Sequence, residues 1–239
     1  MKILPTIKIV FSLMLVCCAQ HLSAVVSDTS GPHERIASTT QQLLLLIEQA
    51  DGYFDEDPDR YYRELNTIVD PLVDFKSFTR SVMGDYGTKA YYKSLNKEQR
   101  AQYKKDYHRF VGRFQEGLIN TYGKGLLAFN GQKIVVEPAD DEALKKIAAR
   151  QSVDVLQKIE GAEKTYTVTY KMRPNKKGVW LLRNVSIESI NVGQLYRNQF
   201  ASAMNKHKGN FSAVIDTWVV DAKDIEKERD KKAAQKPGA

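Results

Sequence analysis

Cysteine is nearly absent from this chain. It has two among 239 residues, Cys17 and Cys18, and both lie in an N-terminal stretch that reads as an export signal. A chain cut near Val25 therefore carries no thiol, which excludes disulfides, thiol catalysis and cysteine metal sites. An exported protein of this size can build its own core without cross-links. Histidine is almost as scarce, at four. His33, His108 and His207 lie beyond the signal, and none stands in a metal-ligand spacing. There is no G-x-S-x-G elbow, no phosphate-binding glycine loop and no H-E-x-x-H pair. The acidic pairs Asp55 with Asp57 and Asp140 with Asp141 sit in turn-like contexts and read as caps. Nothing in the sequence calls for an enzyme's catalytic centre, a metal or a cofactor.

Long apolar runs are also missing. The one from Ile9 to Ala19 is shorter than the roughly 20 residues that span a bilayer. With Lys2 and Lys8 before it and the small residues Ala24 and Ser27 after it, residues 1–24 read as a cleavable secretory signal peptide. Val16 before Cys17 and Cys17 before Cys18 do not fit a lipid-acceptor site. Lys2 and Lys8 are the only charged residues of that segment, so the rest of the chain keeps +5 of the total +7. A modest positive charge suits an anionic membrane surface or an acidic protein, and export argues against nucleic acid.

What the chain does have is apolar and aromatic mass, with 12 tyrosines and 9 phenylalanines. Its organising stretch is Gly178 to Met204, where the hydrophobic period changes. Val179, Leu181, Val185 and Ile187 alternate as one strand face, with Trp180 and Leu182 on the other. From Val192 the apolar residues recur three and four apart, through Leu195, Tyr196 and Phe200 to Ala203, as on a helix face.

Upstream, Ile36, Thr40, Leu43, Leu44, Ile47 and Ala50 mark a helix that ends by the Asp57-Pro58 step. A second helix is expected from Pro58 to Asp70, and a third opening on Pro71 and closing at Gly84. Asn96 with Gln99 gives a capping box for a long helix whose aromatic stripe runs toward Asn130, with a bend or break near Gly123. Strands follow at Lys133–Glu137, Ala149–Glu160, Lys164–Arg173 and Val179–Ile187, the clearest alternating Tyr166, Val168, Tyr170 and Met172. Asp140 to Ala148 fits a helical turn or an extended start equally. A last helix carries Phe211, Val214, Ile215, Trp218 and Val219. The expected organisation is one domain over residues 25–220, helical over 34–130 with sheet and closing helices over 131–220, and a charged tail over 221–239 that frays. Its fold class is α+β, with helices on a curved, mostly antiparallel sheet of about four strands. Spacing does not decide whether the volume they share is packed or hollow.

Three segments together resemble the MlaC, or toluene-tolerance, family of periplasmic phospholipid-binding proteins. They are IVDPLVDFKSFTRSVMG at Ile68 to Gly84, LNKEQRAQYKKDYHRFVGRFQEGLINTYGKGL at Leu95 to Leu126, and VSIESI followed by YRNQFASAM at Val185 to Met204. The likeness spans about Ile36 to Val219. It implies an NTF2-like shape enclosing an apolar cavity for phospholipid tails, in a monomeric carrier. Lipid would pass between an outer-membrane lipoprotein–porin complex and an inner-membrane ABC transporter with its substrate-capturing hexamer, maintaining outer-membrane lipid asymmetry. On this reading Phe75, Phe78, Val82, Phe110, Phe114, Leu118, Val155, Val168, Tyr170, Val185, Ile187, Val192, Tyr196 and Phe200 line or border the cavity. Arg197 stands near its mouth or, equally, in a structural ion pair. Two alternatives stay open: an exported NTF2-like enzyme with a polar cavity, and a ligand-free adaptor with a filled core.

Overall fold

The structure, a computed structural model, describes residues 30–129, 131–161, 164–221 and 223–234. The expected export signal, with Cys17 and Cys18, lies outside the described residues, as do residues 235–239 of the tail.

Helices α1 (Pro32–Ala50) and α2 (Pro58–Val69) both open on proline, which has no amide hydrogen to leave unpaired in a first turn. Pro71 does not open a helix as expected. Leu72 and Val73 instead run beside β4 (Trp180–Ile187), Leu182 N–H donating to Leu72 O at 2.9 Å and Asp74 N–H to Leu182 O at 3.0 Å. α3 (Phe75–Val82) starts after them, where Asp74 accepts from Ser77 N–H at 2.8 Å. Backbone bonds to the strand and a carboxylate cap at Asp74 outweigh the first-turn preference of proline. A 3-10 turn, Gly84–Gly87, and α4 (Lys89–Ser94) then fill a stretch for which the sequence suggests no element.

The long helix α5 (Lys97–Leu126) has both halves of the capping box, Gln99 N–H to Asn96 Oδ1 at 2.8 Å and Asn96 N–H to Gln99 Oε1 at 2.9 Å. It runs unbroken through Gly123, so there is no break at that glycine. A Cβ there would stand 2.5 Å from Leu65 Cδ2, and Gly123 O accepts from Tyr61 Oη–H at 2.8 Å. The glycine lets α2 approach α5; it does not break the helix.

The sheet is a sequential antiparallel meander of β1 (Lys133–Val136), β2 (Val153–Glu160), β3 (Thr165–Pro174), β4 and a two-residue β5 (Ile190–Asn191). It has one short strand more than expected, and it is curved and unclosed. The ambiguous stretch before β2 is helix α6 (Asp141–Ala148), because Asp140 caps Ala143 N–H at 2.7 Å. The β3–β4 register shifts between Lys171, opposite Asn184, and Met172, opposite Leu182, leaving Arg183 as the extra residue. Such a bulge switches the parity of side chains. Leu182 therefore joins Val185 and Ile187 on the inner face, and Leu181 does not. Arg183 forms an ion pair with Asp74.

β5 passes into α7 (Val192–Lys206) without a loop. Asn184 Oδ1 accepts from Gly193 N–H at 2.9 Å, and a Cβ on Gly193 would lie 2.5 Å from that oxygen. α8 (Phe211–Asp216) is shorter than expected, with Trp218 buried beyond it and Val219 exposed. The charged tail forms α9 (Lys223–Ala234), held through Ile225 and through Lys232 Nζ, which donates to Ser189 O at 2.7 Å.

Three apolar clusters hold these parts together. One joins α3, α5, α7 and α8 through Phe78, Phe110, Phe114, Tyr196, Phe200 and Val214, with Trp218. A second joins α1 to the sheet through Ile36, Val155, Met172 and Trp180, and a third packs α1 and α2 on α5 through Leu46, Tyr61, Leu65 and Ile119.

Candidate ligand cavity

Where the three clusters meet, the interior is hollow. A cavity of about 540 Å³ lies between α1, α5 and the inner face of the sheet. Each wall follows from a local period. Thr40, Leu43, Leu44 and Ile47 come from one face of α1, at helical spacing. Tyr166, Val168 and Tyr170 come from alternate positions of β3, and beside them Gln157 and Ile159 from β2 and Val185 and Ile187 from β4. Leu118, Ile119, Tyr122 and Leu126 come from α5, and Phe75, Phe78 and Val192 close the far side. The bulge matters here, since it brings Leu182 onto the same wall.

The polar groups in this lining are few and partnered. Gln157, itself buried, donates through Nε2 to Thr40 Oγ1 at 2.8 Å and accepts from Tyr170 Oη–H at 2.8 Å. Tyr122 Oη stands 2.6 Å from Tyr196 Oη. Burial pushes the phenols of Tyr170 and Tyr122 up, and burial followed by the neighbouring Tyr122 pushes that of Tyr196 up. All three tyrosines on this account remain neutral at physiological pH. Among the described residues no carboxylate or imidazole lines the cavity.

Tyr166, 40% exposed, marks the mouth, with Lys164 Nζ 4.3 Å from its ring centre. Gly125, Phe129 and Ile134 lie on the same rim. A second, polar hollow adjoins it through Leu44, Ile47 and Phe129 and is bordered by Glu48, Asp51 and Asp55.

Of the residues expected to line or border a cavity, the structure brings together Phe75, Phe78, Leu118, Val168, Tyr170, Val185, Ile187 and Val192. It places Val82, Phe110, Phe114, Tyr196 and Phe200 in the solid aromatic cluster behind the wall, where Phe110 and Trp218 ring centres are 5.0 Å apart. Val155 lies in the cluster between α1 and the sheet. Arg197 is not at the mouth: α7 leaves the cavity after Val192, and the Arg197 guanidinium lies outside beside Gly84, donating to Ser81 O at 3.1 Å. The α1 face, Gln157, Ile134 and Phe129 are not among the expected lining. The α1 spacing is visible in the sequence, but a face read only as packing can also border a void.

Fold and cavity together define an α+β protein in which helices and an unclosed antiparallel sheet surround an apolar chamber. Sequence comparison then identifies it more closely. The sequence model described as MlaC protein matches residues 37–219, and the chain belongs to the MlaC family. It is 32% identical over 206 residues to toluene tolerance protein ttg2D of Pseudomonas putida, covering 86% of this chain and 87% of that protein. Among solved structures, a phospholipid-binding protein from Ralstonia solanacearum, in complex with a phospholipid, superposes with a TM-score of 0.58. It is 18% identical and covers 86% of this chain and all (100%) of that one. That likeness confirms the fold.

Proposed function

We propose that this protein is a periplasmic carrier that shelters the acyl chains of a glycerophospholipid in its cavity and moves the lipid between the two membranes. The observation that carries the reading is the open apolar chamber of about 540 Å³, with its few polar groups already bonded to one another. Two chains of about fifteen methylenes cost of the order of 20 kcal/mol to expose to water. Unaided passage across an aqueous compartment is correspondingly slow. A dry cavity removes most of that cost, since a chain then moves between two apolar media. No group in the lining has to react for this to work.

The setting agrees with the role. Residues 1–24 would direct export and be removed, and among the described residues no helix is long and apolar enough to cross a membrane. The P. putida relative is named for toluene tolerance and the R. solanacearum structure holds a phospholipid, and both support the lipid reading. In the scheme that family resemblance implies, an outer-membrane lipoprotein–porin complex and an inner-membrane ABC transporter with its hexamer are the two stations. The carrier would then help to keep the outer membrane asymmetric.

Native mass spectrometry of the protein purified from the periplasm, with lipid identification after denaturation, tests this. A mass excess equal to one or two phospholipids is expected. A bare polypeptide mass that persists after incubation with phospholipid vesicles and the inner-membrane station would refute the carrier reading.

A further inference from the structure

The cations of this protein are unevenly answered. On the sheet side Lys133, Lys146, Lys158 and Lys171 each meet a carboxylate, whereas Arg150, Arg173, Lys176 and Lys177, about the β3–β4 turn, have none among the described residues. α4 and the first turns of α5 carry Lys89, Lys93, Lys97, Arg100, Lys104 and Lys105, and none of these has a carboxylate partner among the described residues. The acids of this stretch do not offset them. Asp106 is buried and bound to Arg109, leaving Asp85 and Glu98 as exposed negative charges.

The six cations lie on two joined elements, since Arg100 fastens the start of α5 to α4. Arg100 donates to Lys93 O at 2.6 Å and to Tyr92 O at 3.2 Å. Its guanidinium carbon lies 5.6 Å from the Tyr92 ring centre, and Lys104 Nζ lies 5.9 Å from the same ring. Tyr91, Tyr92 and Tyr103 belong to the same two helices, half-buried, with tilted ring contacts from Tyr103 to each of the other two. The opposite end of α5 has the opposite sign. Exposed Glu48, Asp51 and Asp55 border the hollow beside the cavity mouth, and Glu56, Asp57 and Asp59 follow them in the chain, Asp57 paired with Arg63. Lys104 and Gly125 are separated along the helix by roughly 30 Å at 1.5 Å per residue.

We propose that the cationic end formed by α4 and the start of α5 docks on the surface of an anionic phospholipid bilayer, with the cavity mouth turned away from it. Composition favours a bilayer over an acidic protein. Lysine, a compact charge on a flexible stem, makes up all of the patch but Arg100. Arginine is the side chain suited to fixed, two-pronged carboxylate recognition. Tyrosines with an apolar ring and a polar tip belong at headgroup depth. The acidic residues beside the mouth are repelled by the same surface, which favours this orientation. A carrier held this way stays beside a membrane while its mouth remains free for whatever projects above it. The proposal stands independently of the cargo, since lipid content and vesicle binding are separate readouts.

The test is flotation of the purified protein with vesicles of phosphatidylcholine alone and of phosphatidylcholine mixed with phosphatidylglycerol, at low and high salt. Binding is expected to the mixed vesicles only and to be lost in high salt, as screening predicts. Each lysine near such a surface changes partitioning about fivefold. K89Q/K93Q/K105Q should therefore weaken binding about a hundredfold, and K97E/K104E/K105E should abolish it. E48K/D55K, at the other end, should bind no more weakly than the parent. All three variants should retain the parent's co-purifying lipid. Equal binding to both vesicle types, no binding even at low salt, as an acidic protein target would give, or full binding by K97E/K104E/K105E would each overturn the proposal.

Discussion

The hydroxyl oxygens of Tyr122 and Tyr196 stand 2.6 Å apart at the point where the cavity wall becomes solid core. Tyr122 faces the cavity, whereas Tyr196 is fully buried among Phe114, Phe200 and Trp218. Each hydroxyl is thus the partner that makes burial of the other tolerable.

Removing one hydroxyl should then cost more than removing both. Tyr122→Phe leaves the Tyr196 hydroxyl buried without its partner, a penalty of about 1–3 kcal/mol. Tyr122→Phe/Tyr196→Phe replaces both with apolar edges of the same shape and should be nearly as stable as the parent. Urea denaturation of the two single variants and the double one measures the coupling. Strict additivity would show that the pair is incidental.

Alkaline pH should weaken the fold through buried phenols. Tyr61 is buried where α2 crosses α5, and burial pushes its phenol up to about 12. In the unfolded chain it titrates near 10. Below pH 10 both states hold the proton and the stabilisation is whole. Between 10 and 12 the unfolded state loses its proton first, so stability falls by of the order of 1 kcal/mol per pH unit for such a group. Urea midpoints at pH 9 and 11 should differ, and Tyr61→Phe should lose part of that difference.

The sequence shows some of this architecture and hides the rest for identifiable reasons. Alternation at Tyr166, Val168 and Tyr170 predicts the β3 wall because side-chain direction in a strand depends on local backbone alone. The Asn96–Gln99 cap is legible for the same reason. The Arg183 bulge is not, since it sits beside the clip between Leu182 and the Leu72–Asp74 segment, a contact more than a hundred residues distant in the chain. Pro71 misleads through the same clip. Phe78 and Phe110 carry the same side chain and both point inward from their helices, yet one borders a void and the other is packed against Trp218. Periodicity tells which residues point inward. Whether the inside is filled depends on how three separate clusters meet.

Gly123 offers a test of close approach. Alanine is the better helix former by up to about 1 kcal/mol, so Gly123→Ala would stabilise a free α5. Its methyl group, however, would lie 2.5 Å from Leu65 Cδ2. Overpacking of this kind costs about 1–3 kcal/mol, and the net effect should be destabilising. Gly112 faces open space, with nothing within 4 Å of where a methyl group would stand, and should respond oppositely to the same change. Melting temperatures of the two variants on either side of the parent would bear this out, and a stabilised Gly123→Ala would contradict it.

Filling the cavity separates the lining from the core behind it. Val168 sits in one row across the sheet, opposite Gln157 on β2 and Ile187 on β4, and all three border the hollow. A tryptophan at Val168 or Ile187 projects into existing space, so it displaces ligand without forcing its neighbours apart. Val155 is fully buried in the packed cluster between α1 and the sheet, and Val155→Trp has no such space. Its cost should exceed the roughly 1–3 kcal/mol of ordinary overpacking. Near-ultraviolet circular dichroism and phospholipid phosphorus per mole of protein read the two effects independently. Val168→Trp and Ile187→Trp should keep the native spectrum and lose most of their lipid, whereas Val155→Trp should lose the spectrum. If Val168→Trp kept a native spectrum together with its full lipid content, the cavity between α1 and the sheet would not be where the chains lie.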